Sequence, residues 1–313
     1  MTDRLVIRAL AEGEARELFT SMPGLSDATL LGRALLDPPL DGYETVAAGG
    51  QYRPEWTWVA LRGDTVVARA AFWGGPDDEQ PVALDWFDYT DRAAAVALLR
   101  TTPLRAEYEL ILPPAWRDDP AVRAAAERRV EAAAEAGYRP LVERFRYLWT
   151  PAAGLPERPG RLVFRPEPDD DVILDVLRRV HTATLDSHAR RAIETGGVEL
   201  AAREELDFFR WCPSPRSWWQ LAFTPGGEPV GLHVPARNHA KPVVGFIGVL
   251  PEQRGHGYGY DLLVECTRHL ADGGATEIAA ATDLKNAPMA AAFARAGYPV
   301  TQHRFCMTPP PPA

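Results

Sequence analysis

Alternating apolar and polar positions along the chain predict two similar sets of strands. Trp56 to Leu61 and Thr65 to Phe72 are rich in β-branched and aromatic residues and flank Gly63-Asp64, which predicts a β-hairpin. Trp218 to Phe223 and Val230 to Val234 repeat the pattern around the turn sequence PGGEP. Each half of the chain is therefore predicted to contain an antiparallel meander.

Helix start and stop signals also occur twice. Asp118-Asp119-Pro120 begins an Ala-rich stretch that ends at Gly137, and Asn286 begins a shorter one that ends at Gly297. Each predicted helix leads into a final strand, over 141–147 and 300–306 respectively. Strands followed by alternating helices and strands predict an α/β fold built on an α+β mixed sheet.

The chain also repeats short sequence landmarks. RLVIR at 4–8 matches RLVFR at 161–165, and the spacing A-G-Y-x5-R-F begins at both Ala136 and Ala296. The two matches are offset by similar lengths, which predicts a duplicated domain. The Pro- and Gly-rich segment between the copies predicts a linker. The predicted boundaries are 1–150 for the first domain, 151–160 for the linker, 161–307 for the second domain and 308–313 for a Pro-rich tail.

Composition and charge restrict the partners that we expect. The 313 residues carry a formal charge of −9, and 46% of them are hydrophobic, as in folded globular proteins. No Lys/Arg cluster is present, so no nucleic-acid partner is expected. No signal peptide and no membrane segment are predicted, because charged residues interrupt every long apolar run. Cys212, Cys266 and Cys306 lack C-x-x-C spacing, which argues against a disulfide framework or a metal site and favours the cytoplasm.

A glycine-rich loop between a strand and a helix is the strongest chemical signal. Residues 243–249 (VVGFIGV) predict a strand buried on both faces, and EQRGHGYG at 252–259 precedes an apolar helical pattern. Backbone N–H groups in such a loop bind a phosphate or pyrophosphate. The loop lacks the Lys-Ser/Thr pair of a P-loop, and it lacks the third Gly and the distal acid of a dinucleotide fingerprint. These absences argue against ATP and NAD.

The loop resembles that of a known superfamily. Val249-x-Pro251-x-x-Arg254-G-x-Gly257-x-Gly259 is similar to the acyl-CoA-binding loop of the GNAT superfamily of N-acetyltransferases. An Asn that begins a helix and a Gly-aromatic pair that closes it, at 286–298, resemble the second motif of these enzymes. The resemblance covers 161–306 and extends through the repeat to 4–147. It implies two tandem GNAT-like domains, each a mainly antiparallel twisted sheet flanked by helices, with a degenerate first copy.

The resemblance implies acetyl-CoA as co-substrate and an amine as acceptor. The backbone of the strand before the loop would polarise the thioester carbonyl. Asn286 is equally explained as a helix cap, and His256 as a solvated residue. The residues implied in acetyl-CoA binding are Ile247, Gly248, Val249, Arg254, Gly255, His256, Gly257, Tyr258, Gly259, Asn286 and Phe293.

The general base and acid are less apparent. Asp283 and His233 are the candidate catalytic bases, although an ordinary turn acid and a structural histidine explain them as well. Phe293 stands where many GNAT enzymes have the tyrosine that protonates the thiolate. The helical segment that usually shapes the acceptor site contributes five titratable residues, namely Asp186, His188, Glu199, Glu204 and Glu205.

The first copy lacks the loop. Its predicted strand at 81–87 continues into DYTDRAAA, where Asp88 and Asp91 would repel a pyrophosphate. The expected function is acetyl transfer to an amino group of a small molecule or peptide by the second copy. A non-catalytic acyl-CoA-binding or regulatory protein is the alternative. Among enzymes, mycothiol-synthase-like acetyltransferases share the tandem arrangement. The sequence assigns neither the acceptor nor the oligomeric state.

Overall fold

The computed structural model describes residues 4–20, 22, 24, 27–36 and 47–311, which divide into two compact units. Unit 1 comprises residues 1–143 and 302–313, and unit 2 comprises residues 144–301. The division therefore falls within each of the two final strands, at 143/144 and at 301/302, whereas the boundaries predicted from the sequence follow chain order. The last two residues of the predicted Pro-rich tail lie outside the described residues.

Both units contain strands and α-helices. The strands are β1 (Leu5–Ala9), β2 (Thr57–Arg62), β3 (Thr65–Trp73), β4 (Ala83–Tyr89), β5 (Glu107–Leu112), β6 (Arg139–Trp149), β7 (Val163–Pro166), β8 (Gln220–Phe223), β9 (Pro229–Arg237), β10 (Pro242–Val249), β11 (Ile278–Asp283) and β12 (Val300–Thr308). The α-helices are α1 (Arg92–Thr101), α2 (Pro120–Glu135), α3 (Asp170–His181), α4 (Ser187–Trp211), α5 (Tyr258–Asp272) and α6 (Ala287–Arg295). The prediction of a mixed α/β fold is confirmed.

The two units have the same strand order. Unit 1 runs β1-β2-β3-β4-β5-β12, and unit 2 runs β7-β8-β9-β10-β11-β6. Only the β4–β5 pair and the β10–β11 pair are parallel, and the other neighbours within each unit are antiparallel. Each unit therefore completes its sheet with the final strand that chain order would assign to the other unit.

Buried side chains cover the sheet of each unit. In unit 1, Met307 of β12 lies in the main core beside α1 and α2. In unit 2, α3 and α4 cover one set of sheet residues, including Leu232 and Val234. α5 and α6 cover another set, including Trp149 and Ile278. Within the described residues, no helix has both the length and the apolarity needed to cross a lipid bilayer.

Local capping signals agree with the helix ends. Asp119 Oδ1 accepts hydrogen bonds from two N–H groups at the start of α2, and Asn286 Oδ1 accepts one from Met289 N at 3.3 Å in α6. The burial predicted for β10 was wrong. Only Val243 and Gly248 of this strand are buried, and its other residues are half-buried. The reason is that β10 pairs with β11 at a single register position, so most of one edge of β10 has no neighbouring strand among the described residues.

Candidate functional site

The parallel strands β10 and β11 diverge after a single register position. They pair at Val243 and Ala279, yet β10 continues to Val249 and β11 to Asp283. The other edge of β10 remains paired with β9 as far as Val249. A register shift between Val244 and Phe246 accompanies the divergence, and a β-bulge of this kind bends a strand. One edge of residues 247–249 therefore borders a wedge between strands.

The glycine-rich loop lies at the end of this wedge. Gly255 and Gly257 have φ values of +85° and +76°, and Gly257 is the N-cap of α5. β-Carbons at Gly255 and Gly259 would meet no described atom within 4 Å, so the loop has an open side. The first N–H groups of a helix lack intrahelical partners and attract anions. These residues fit a pyrophosphate in both space and charge.

Arg254 connects this loop to the end of α3. Its guanidinium donates hydrogen bonds to Val249 O at 3.2 Å, to Val180 O at 3.0 Å and to Ala183 O at 2.6 Å. The carbonyl groups at a helix C-terminus carry partial negative charge, so a cation stabilises this end. In this structure Arg254 holds the loop in position through its side chain.

Arg161 neutralises an acid in the first turn of α5. Its Nε lies 3.0 Å from Asp261 Oδ1, a second guanidinium nitrogen pairs with Asp261 Oδ2, and a third donates to His256 O at 3.0 Å. The guanidinium also lies 5.1 Å from the centre of the Tyr258 ring. Asp261 therefore does not present an uncompensated charge to an anion. The sequence reasoning missed Arg161, although it is the first residue of the repeated RLVFR segment.

The other residues predicted to bind acetyl-CoA make local or core contacts. His256 is exposed, its Nδ1 lies 3.2 Å from Gln253 O, and its ring stacks on Tyr258 with 5.5 Å between centres. Asn286 caps α6, as the alternative interpretation proposed. Phe293 is buried in the core, stacked on Tyr147 at 4.4 Å and edge-on to Tyr298 at 5.2 Å. Its ring belongs to a core cluster against which Ile247 of β10 also packs.

Both candidate bases make structural contacts. The buried Asp283 accepts a hydrogen bond from Ser187 N at 2.7 Å, and its other oxygen lies 3.2 Å from Arg144 Nε. His233 is fully buried, and its Nε2 lies 3.0 Å from Gln220 Oε1. Burial lowers the pKa of His233 to about 3. These contacts favour the structural interpretation of both residues.

Asp283 belongs to an ion-pair network at the start of α4. Asp186 caps the helix by accepting from Ala189 N at 2.9 Å, and Arg144 lies within 3.4 Å of both Asp186 and Asp283. Although burial opposes ionisation, Arg144 and the cap hydrogen bond keep the pKa of Asp186 below its ordinary value. Asp186, His188 and Asp283 place possible metal-ligand atoms within 4.8 Å of one another. The Arg144 guanidinium already balances both carboxylates.

Two further titratable groups flank this network. His181, the last residue of α3, is buried and only 2% exposed, and its ring is edge-on to Phe246 of β10 with 6.2 Å between centres. Neither ring nitrogen has a hydrogen-bond partner among the described residues. Burial, reinforced by the nearby Asp186, raises the pKa of Glu205 to about 8. No motif marks His181 in the sequence, because its environment depends on elements that are distant along the chain.

The other two predicted acidic residues of α4, Glu199 and Glu204, are accessible to solvent. Glu199 pairs with Arg178 at 2.6 Å and with Arg203 at 2.7 Å, and the three side chains are partly exposed to solvent. Glu204 is exposed. The structure thus separates Asp186 and Glu205 from the solvated acids of α4.

The equivalent position in unit 1 is occupied by its own carboxylates. Asp91 caps α1 by accepting from Ala94 N at 3.0 Å, and it pairs with Arg62 at 2.7 Å. Asp88 is buried between Arg69 at 2.9 Å and Arg129 at 2.8 Å. The start of α1 therefore presents a carboxylate, whereas the start of α5 presents accessible backbone N–H groups.

Three comparisons relate these features to known proteins. A family model described as the acetyltransferase (GNAT) family matches residues 185–298. A search of curated proteins found no match to this sequence. Among solved structures, a GCN5-related N-acetyltransferase from Sphaerobacter thermophilus superimposes with a TM-score of 0.54 at 15% identity, over 100% of this chain and 99% of that one.

Two further structures share the fold. A glucosamine N-acetyltransferase region of a fungal multi-domain β-N-acetylglucosaminidase has a TM-score of 0.55 at 12% identity, over 98% of this chain and 38% of that one. A GNAT-family acetyltransferase from Colwellia psychrerythraea has a TM-score of 0.50 at 12% identity, over 98% and 100%. At such identities the likeness concerns the fold. Together with the family match, it shows that this chain has a GNAT fold, in which residues 185–298 match the acetyltransferase (GNAT) family.

Proposed function

We propose that unit 2 binds acetyl-CoA and transfers its acetyl group to an amino group of a small molecule or peptide. The open glycine-rich loop at the N-terminus of α5 carries this proposal. Its free space at Gly255 and Gly259 and its helix N-terminus suit a pyrophosphate, and the adjacent wedge between β10 and β11 suits an extended arm.

The wedge also suggests where the reaction takes place. Acetyl-CoA supplies a thioester, whose carbonyl carbon is the electrophile. The unpaired edge of Ile247 to Val249 offers backbone N–H groups that can stabilise negative charge on the carbonyl oxygen. The amine nitrogen forms a bond to this carbon while the carbon–sulfur bond breaks, and the electron pair leaves with the sulfur. An ammonium acceptor must in addition lose two protons to a base or to water.

A non-catalytic acyl-CoA-binding protein is the second candidate function. The observation in its favour is Phe293, which has no hydroxyl group and is packed between Tyr147 and Tyr298. Release of CoA thiol from acetyl-CoA in the presence of a panel of primary amines separates the two candidates. We expect release with at least one amine, and its absence would favour the binding protein.

A glycine substitution tests the binding site. Gly259→Leu places a side chain in the open side of the loop without a positive φ, so we expect acetyl-CoA affinity in calorimetry to fall at least about tenfold. The wild type should show one site per chain. Gly226→Leu is the matched control, because a β-carbon there meets only Thr224 Oγ1 at 3.6 Å in the β8–β9 turn. Unchanged affinity in a folded Gly259→Leu variant, or two equivalent sites, would contradict the assignment.

A further inference from the structure

We propose that the acceptor is a cationic primary amine that binds beside Asp186 and Glu205, and that His181 accepts its proton during acetyl transfer. The inference rests on the proposed function and specifies its acceptor and its base. It assigns the role of catalytic base to His181 instead of Asp283 or His233, although no sequence motif marks His181.

The position of α3 brings His181 next to the reacting strand. A β-carbon at Gly248 would lie 3.0 Å from Val180 Cγ1, so the last turn of α3 packs directly on β10. Arg254 holds that turn through the carbonyl groups of Val180 and Ala183. His181 follows Val180 and contacts Phe246. The imidazole therefore lies beside the strand segment that would face the thioester.

The lack of hydrogen bonds to His181 points to a ligand. Burying a polar group without a partner costs free energy, and such groups in native proteins usually have a functional explanation. Both nitrogens of His181 lack a partner among the described residues, whereas His233 in the same unit has Gln220 at Nε2 and lacks a partner only at Nδ1. An amine between His181 and the neighbouring acids would supply the missing hydrogen bond.

The charges around His181 favour a cation. Asp186, at the start of α4, lies near enough to act on the charge of His181, and it acts in turn on the charge of Glu205. The half-buried His188 also lies near Asp186. Arg144 of β6 is already paired with Asp186 and Asp283, and Arg254 is occupied by carbonyl groups. The facing strand β10 contains no charged residue. The described surroundings thus offer carboxyl groups to an incoming ammonium group.

The protonation state of His181 suits a base. Burial lowers the pKa of His181 below its ordinary value, against the opposing effect of Asp186, and so favours the neutral ring that can accept a proton. The ammonium group first releases one proton to water. The free amine attacks the carbonyl carbon, and the nitrogen, now positively charged and acidic, gives its second proton to His181. The sulfur departs with the carbon–sulfur electron pair, and His181 returns its proton to the thiolate or to solvent.

The principal test replaces His181 by Gln. The best amine of the primary-amine panel is used, and CoA-thiol release is followed with acetyl-CoA in excess. We expect kcat to fall about 100-fold or more, because general-base catalysis contributes about 10²–10⁴, while acetyl-CoA affinity in calorimetry is unchanged. The wild-type rate should rise with pH as His181 loses its proton, and the variant should lack this limb. His239→Gln, at an exposed histidine, is the matched control and should be unaffected.

Two further variants separate catalysis from packing. His181→Leu should raise the urea midpoint of unfolding, because it removes an unpaired buried polar group, and should abolish turnover. A merely structural histidine would lower that midpoint. Glu205→Gln should raise KM for the amine about tenfold with a smaller change in kcat.

Each negative outcome has a distinct meaning. An unaltered kcat and pH profile in His181→Gln would overturn the role of His181 while leaving acetyl-CoA binding established. CoA-thiol release with aromatic amines that are neutral at pH 7, but not with cationic amines, would overturn the cationic acceptor, whereas release with none of the amines would refute acetyl transfer itself. If the wild-type protein does not bind acetyl-CoA in calorimetry, the proposed function itself is refuted.

Discussion

At the scale of single residues, charge compensation at the loop depends on one side-chain pair. Asp261 is buried in the first turn of α5, where a phosphate would experience its charge. Arg161 covers it through two guanidinium nitrogens and also holds the loop carbonyl of His256. Paired in this way, the acid leaves the N-terminus of α5 available to an anion.

Removing Arg161 should therefore weaken acetyl-CoA binding. Arg161→Met leaves Asp261 uncompensated, and we expect the calorimetric Kd for acetyl-CoA to rise at least about tenfold at low salt. The double change Arg161→Met/Asp261→Asn should recover most of the affinity, because no charge is left to repel the ligand. Arg158→Met is the control, since the Arg158 side chain is similarly exposed (45% against 46%) but pairs with Glu265 and Asp272. Equal affinity in the single variant and the wild type would refute this role.

At the scale of elements, the kink in α4 separates two helical halves. Gly196 and Gly197 interrupt the helix, with φ −146° and ψ 17° at the first and φ +81° and ψ 177° at the second. The second combination is accessible to few residues other than glycine. The kink sets the direction of the half that carries Glu205, so the composition of this short segment influences the proposed acceptor pocket.

Gly197→Ala should destabilise unit 2. A β-carbon at Gly197 meets no described atom within 4 Å, so backbone strain rather than collision is the expected cost, about 1–3 kcal/mol in the free energy of unfolding. Urea denaturation followed by circular dichroism measures it. Gly226→Ala should change the free energy of unfolding far less, because Gly226 does not have a positive φ. Similar midpoints for the two variants would show that the kink carries no strain for alanine.

At the scale of the whole molecule, each unit depends on a strand from the other half of the sequence. Met307 of β12 is in register with Tyr108 of β5 and is buried in the core of unit 1. Trp149 of β6 is in register with Ile278 of β11 and is buried in the core of unit 2. The stability of each unit should therefore depend on the final strand that pairs with it in space rather than on the final strand that precedes or follows it along the chain.

A reciprocal pair of core variants tests this arrangement. Met307→Ala should lower the stability of unit 1 by about 2–5 kcal/mol, and Trp149→Ala should lower that of unit 2 by about 3–5 kcal/mol. Hydrogen exchange followed by mass spectrometry should show lost protection in β4 and β5 for the first variant, and in β10 and β11 for the second. The opposite assignment would mean that the final strands stabilise the units expected from chain order.

Features that depend on neighbouring residues were predictable from the sequence. The caps at Asp119 and Asn286 were recognised because a helix end is made by a few consecutive residues. The hairpins were recognised for the same reason. The loop at 254–259 was recognised because glycine spacing and helix onset are local, and its resemblance to the GNAT loop agrees with the family match. The repeat spacing likewise predicted a duplicated domain, and the two units share one strand order, although their boundaries differ from the predicted ones.

Features that depend on contacts between distant residues appeared only in the tertiary structure. Arg161 and Asp261 are 100 positions apart, and the pairing of β12 with β5 joins residues that are still farther apart. The half-buried state of β10 follows from the divergence of β11, which its own apolar composition does not encode. His181 acquires its unpartnered nitrogens from the packing of α3 on β10. The sequence by itself determined local conformation and the loop, whereas burial, charge compensation and the proposed base arose from packing, because these depend on which side chains the fold brings together.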